Sequence, residues 1–235
     1  MKLLILLSSL ILVQIKFNVS AQQPSSKPSG QATPPLKLAS AADTVQYTLG
    51  AYIGQWFQKN HFAITNRTLF ERGLDDVLQN KKLALPDTII SPLVASYQLT
   101  VQSARSKALE EQLFAGLKGK PGVGALPNGV HYIVVKTGTG IRPSPGDTIV
   151  FNTIGIFPDG TVFEDTYQKK KAITTIPGNL IPGLADAIQL MPEGSTWRIF
   201  VPSVLGYGPS GLPNVIPPNT ALIFDINLME VRTKK

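Results

Sequence analysis

From Asp43 to Lys118 the apolar positions recur at steps of three and four, the spacing of one helical face. Val45, Leu49, Tyr52, Ile53, Trp56 and Phe57 form one stripe behind a cap at Asp43. Leu69, Phe70, Leu74, Val77 and Leu78 form a second behind Asn66 or Thr65. A third helix is expected to start at Ser91 and Pro92, which suit an N-cap and a first turn, and to run unbroken to Gly116. At about 25 residues it would be roughly 37 Å long, more than a small domain is wide. Three apolar stripes on so few residues exceed what one copy can bury. A compact three-helix bundle and a homodimer sharing the bundle both remain open.

Gly119 to Gly129, with Pro121, Gly122, Gly124 and Pro127, breaks the helical pattern, and the period then switches to two. Strands are expected at Val130–Lys136, Thr148–Ile156, Thr161–Glu164, Ala172–Thr175, Thr196–Val201 and Ala221–Arg232. Pro158-Asp159-Gly160 reads as a hairpin turn, and one short helix fits between Pro182 and Pro192. Many strands around one helix make the class α+β: an all-helical amino-terminal domain, then an antiparallel sheet wrapped over a short helix.

The stretch Gly206–Phe224 is unusual for a loop. Pro209, Pro213, Pro217 and Pro218 stiffen it, yet it carries the apolar Val215 and Ile216. The strand behind it alternates, so that Leu222, Phe224, Ile226 and Leu228 share a face. A stiff flap presenting Tyr207, Val215 and Ile216 beside Phe224 suits the wall of an apolar pocket.

Residues 1–21 have the form of a secretory signal peptide: Lys2, an apolar run from Leu3 to Val13, and small residues at Val19-Ser20-Ala21. A run of about 11 residues is too short to span a bilayer, which takes ~20. Residues 22–42, rich in Pro, Ser, Gln and Ala, read as a disordered linker. The remainder is divided into a helical domain over 43–118 and a second domain over 127–235. With no cysteine in the chain, disulfides, a thiol nucleophile and a lipobox anchor are excluded. The formal charge of +7 is spread along the chain, without the aromatic-basic interleaving of a nucleic-acid surface. His61 and His131 are the only histidines and lack metal-site spacing. No metal or other cofactor is expected.

Gly206-Tyr207-Gly208, Ile216-Pro217-Pro218-Asn219-Thr220 and Leu222-Ile223-Phe224-Asp225 resemble the signature of FKBP-type peptidyl-prolyl isomerases. Leu180-Ile181-Pro182-Gly183-Leu184 and Asp159-Gly160-Thr161-Val162-Phe163 are similar to two further family segments. Tyr47-Thr48-Leu49-Gly50 and Phe70–Asp76 resemble the amino-terminal domain of macrophage infectivity potentiator-type members, which implies a homodimer through residues 43–118. Carried over by position, the resemblance implies catalytic roles for Phe163, Glu164, Ile181, Tyr207 and Phe224. It implies substrate-binding walls at Thr153, Ile173, Leu180, Leu184, Val215 and Ile216. The Ile181 N–H and the Tyr207 hydroxyl would be the groups that hydrogen-bond the substrate.

Three positions depart from the family pattern: Thr153 stands for a pocket Tyr, Glu164 for an Asp, and Leu184 for a frequent Trp. The implied function is prolyl isomerisation assisting the folding of exported, proline-containing polypeptides, in a bacterial periplasm. The alternative is a non-catalytic chaperone or peptide-binding module using the same cleft.

Overall fold

In the computed structural model residues 36–234 are described. The signal-peptide reading of 1–21 and most of the 22–42 linker therefore lie outside the described residues. The chain separates into two units, Met1–Tyr47 and Thr48–Lys235. In the first, Ser40 and Asp43 form a reciprocal cap: Asp43 N donates to Ser40 Oγ at 3.1 Å, and Ser40 N donates to the Asp43 carboxylate at 3.0 Å. The cap residue is thus Ser40, and helix α1 runs Ala41–Lys59, beginning two residues before the expected Asp43.

In the second unit, α2 spans Arg67–Leu78, with Asn66 Oδ1 accepting from Leu69 N. Helix α3 spans Asp87–Leu117, about 46 Å, and starts earlier than the expected Ser91. Pro86 stands at its N-cap, and Pro92 lies inside the helix rather than opening it. The reading of Pro92 as a first-turn residue failed because Asp87-Thr88-Ile89-Ile90 supplies a full turn ahead of it. The three helices are short of burial. None of α1 is buried, only Asp76 of α2, and only Ser106 and Leu117 of α3. What holds α1's end to its neighbours is an aromatic cluster. Trp56 and Phe57 meet Phe62 and Phe70, and Phe62 meets Tyr97 of α3, with centroids 5.2–6.1 Å apart.

The remainder is a seven-stranded antiparallel sheet. Its strands are β1 (Val123–Ala125), β2 (His131–Lys136), β3 (Thr148–Ile156), β4 (Val162–Asp165), β5 (Ile173–Thr175), β6 (Thr196–Val201) and β7 (Leu222–Arg232). Their order is β1-β2-β6-β7-β3-β4, with β5 also on β3. β3 and β6 have the expected bounds. β1 was read as part of the break. Three residues among glycines give no period, and pairing to Ile133, Tyr132 and His131 is what makes them a strand.

Strict alternation on β3 sends Ile149, Phe151, Thr153 and Gly155 to the inner face, and β7 adds Leu222, Phe224, Ile226 and Leu228. The single short helix of this half, α4 (Pro182–Ile188), lies over that face through Leu184, Ala187 and Ile188. Pro182 occupies its first turn, where a missing N–H is harmless.

Candidate functional site

At one end of the inner face the core does not close, leaving a cavity of about 450 Å³. Each wall follows from a local rule. On β3 and β7, Gly155 faces Phe224, and Thr153 faces Ile226. Because Gly155 has no side chain, the Phe163 ring of β4 lies over it; a Cβ there would come within 2.6 Å of Phe163 Cζ. Phe163 stacks on Phe157 at 4.7 Å and makes a T-shaped contact with Phe224 at 5.8 Å and 85°. Two aromatic walls are thereby fixed at right angles. Leu184, buried on α4, forms the floor, and Leu180, Ile181 and Ile173 complete one side.

The opposite side is the flap. Leu212 and Ile216 exchange both backbone hydrogen bonds at 2.8 Å around a tight turn in which Asn214 has φ 62°. Gly211, at φ 63°, leaves no room for a Cβ beneath the Ile216 carbonyl. Asn219 N donates to the Gly208 carbonyl at 2.9 Å and closes the base. The stiffness expected from four prolines therefore has a second source: the loop is a small hairpin that satisfies its own backbone. It presents Val215 and Ile216 to the cavity, with Tyr207 at the rim, 38% exposed.

All eleven residues singled out by sequence line this one cavity. Phe151, Asn179 and Leu212 line it too and were missed. Phe151 was accessible to reasoning, since it lies two residues before Thr153 on the same strand face. Asn179 sits in a 3-10 turn, Pro177–Asn179, that no periodicity marks. Leu212 enters the lining through its backbone pairing with Ile216, which no sequence pattern marks.

The polar groups of the lining are few. The Glu164 carboxylate is held by Lys169 Nζ at 2.6 Å. Among the described residues, neither the Ile181 N–H nor the Tyr207 hydroxyl makes a hydrogen bond; the Ile181 carbonyl accepts from Leu184 N and Ala185 N instead. Two donors thus stand unengaged in a wall that is mostly apolar. The arrangement can bind a compact apolar ring and hold its flanking amide carbonyls. It offers no pair of acid and base, and no group of three or more metal-ligating side chains occurs among the described residues.

Thr153 is a different case. It is 3% exposed, its N–H donates to Thr166 Oγ1 at 2.8 Å, and its own hydroxyl has no hydrogen-bond partner among the described residues. An unpaired buried hydroxyl costs on the order of 1–3 kcal/mol. Thr153→Val is therefore expected to raise stability by about 1 kcal/mol, seen as a higher urea midpoint. A lower midpoint would mean that the hydroxyl is satisfied after all.

Comparison with known proteins adds the following. Residues 140–229 match the family described as FKBP-type peptidyl-prolyl cis-trans isomerase, and residues 42–134 match the domain amino-terminal to it. The chain is 34% identical over 211 residues to the outer membrane protein MIP of Legionella longbeachae, covering 86% of this chain and 90% of that one. It is 32% identical to the peptidyl-prolyl cis-trans isomerase Mip of Coxiella burnetii, covering 88% and 93%. In fold it is similar to the crystal structure of FkpA from Escherichia coli, with a TM-score of 0.57 at 24% identity, covering 83% of this chain and 99% of that chain.

Proposed function

The chain belongs to the FKBP-type peptidyl-prolyl cis–trans isomerases, and we propose that it turns over prolyl bonds of exported polypeptides in the cavity behind the Leu212–Ile216 flap. The observation that carries this reading is the pair of unengaged donors, Ile181 N–H and Tyr207 O–H, at the edge of a mostly apolar enclosure with aromatic walls at Phe163 and Phe224.

Rotation about a prolyl bond needs neither proton transfer nor a metal. Its barrier is about 20 kcal/mol because twisting breaks imide resonance. The planar imide is the more charge-separated form, so an enclosure that excludes water favours the twisted one. Phe163, Phe224 and Leu184 supply that environment around the proline ring. Ile181 N–H and Tyr207 engage carbonyls beside the proline, so that one side of the bond is held while the other turns. Glu164, tied to Lys169, shapes the rim.

Tyr207→Phe tests the assignment with little disturbance, since the ring stays and one hydrogen bond goes. A loss of roughly fivefold in kcat/KM on a short proline peptide is expected, the equivalent of about 1 kcal/mol, with the fold intact by circular dichroism. A second reading, a peptide-binding module without turnover, is favoured by Thr153 in place of an aromatic wall. It would show no catalysis above background in the same assay, yet suppress aggregation of unfolded clients equally with Tyr or Phe at 207.

Two further parts of the reading rest on other features. Leu49, Tyr52, Leu69, Leu78 and Leu93 are more than half exposed, and a groove of about 580 Å³ opens over Trp56, Phe62, Phe70 and Tyr97. That surface supports a homodimer through the helices, and light scattering on the mature protein is expected to give twice the chain mass. A monomer at micromolar concentration would exclude it. Residues 1–21 support export, with action on clients in the periplasm. No helix among the described residues is long and apolar enough to cross a membrane.

A further inference from the structure

The flap has a second face, turned toward α3. Two polar contacts fasten it there. Asn219 Nδ2 donates to Ser103 Oγ at 2.7 Å, and the hydroxyls of Ser106 and Thr220, both buried, are 2.9 Å apart. Beside these contacts runs a groove of about 620 Å³ between the helix and the flap. Leu212, Val215 and Ile216 line both this groove and the cavity, so the two spaces adjoin across the same flap residues.

The groove has a definite chemistry. Its lining contains no charged side chain. Leu99 of α3 is 54% exposed and Val215 is 49% exposed, which leaves an apolar strip open on both walls. Gln102 on the helix and Asn214 on the flap face it with side-chain amides that make no hydrogen bond among the described residues. An amide both donates and accepts. Uncharged walls, apolar strips and two-way amides together match an extended polypeptide, which offers an N–H and a C=O at each residue and side chains at alternate positions.

We propose that the groove takes the segment of client polypeptide that flanks the proline, with its main chain paired to Gln102 and Asn214 and an apolar side chain seated on Leu99. This rests on the isomerase reading of the cavity and adds to it a preference for long substrates. A chain whose proline lies behind the flap and which leaves across Leu212 and Val215 enters the groove directly.

The test uses the full chain and two substrates: a tetrapeptide with one proline, and the same four residues extended by several more at both ends. Exchange spectroscopy reads the isomerisation of each. Leu99→Glu and, separately, Gln102→Ala are each expected to lower kcat/KM for the long peptide by about threefold, and by about tenfold when combined, and to leave the tetrapeptide unchanged. Turnover of both peptides by the unaltered chain, with no length-selective loss in either variant, overturns the proposal and leaves the isomerase reading standing. Absence of turnover on both peptides removes the isomerase reading, and the proposal with it. A change of oligomeric state in Leu99→Glu and in Gln102→Ala would assign the groove to the contact between copies, which also overturns it.

Discussion

Replacing Phe224 by alanine is expected to cost about 3–5 kcal/mol of stability and to remove most proline-peptide turnover at once. Phe224 is 7% exposed near the start of β7, a strand with β6 on one side and β3 on the other. Its ring stands at right angles to that of Phe163, 5.8 Å between centroids. Truncation enlarges the cavity, lets Phe163 swing, and admits water to a space whose effect depends on excluding it. The two losses are separable. Phe224→Leu retains most of the volume but not the flat wall, so it should unfold at a denaturant concentration nearer the original while turnover stays low. Urea titration and peptide kinetics on the same samples decide the matter. A folded Phe224→Ala protein with undiminished turnover would place the chemistry elsewhere.

Gly155→Ala should have the second largest effect, from a single added methyl. The Cβ would stand 2.6 Å from Phe163 Cζ and 3.1 Å from Glu164 Cβ, and Phe163 cannot yield freely between Phe157 and Phe224. Overpacking of this kind costs about 1–3 kcal/mol. The ring is expected to move away from the cavity, lowering kcat/KM by about tenfold or more. Because the closest contact is with the Phe163 ring, Phe163→Leu should recover part of the stability in the Gly155→Ala background although it destabilises the unaltered protein. A double-mutant cycle measures that coupling, and purely additive losses would contradict it.

How far the fold could be read in advance depended on whether an element carries its own period. β3 alternates for nine residues with one face buried, and its bounds came directly from Thr148 to Ile156. β1 carries no such signal, and its three residues become a strand only through their partner. The α3 start was misplaced because proline was given a position rule that applies to short helices opening on it, whereas Asp87–Ile90 had already formed a turn. The lining was legible because family segments mark it in order along the chain. The helix-to-flap contacts were not. Ser106 and Thr220 are 114 positions apart, and small hydroxyl side chains occur along the whole chain without any pattern that pairs them.

Helix α3 is continuous in geometry and divided in what holds it. From Ser103 to Leu117 it is fastened to the sheet half: Ser103 and Ser106 by the flap, Glu110 through the Ser203 N–H, and Leu117 by burial. From Asp87 to Gln102 none of its residues is buried. The backbone amides of a single uninterrupted helix therefore open by two different routes. Those after Ser103 are expected to open together with the sheet, and those before it when the aromatic cluster around Trp56 loosens. Local opening of this kind follows the anchoring of each segment, not the secondary structure it belongs to. The middle of the helix, near Gln102, is then a thermodynamic seam: the amino-terminal turns can melt and reform while the flap remains clamped and the cavity keeps its shape.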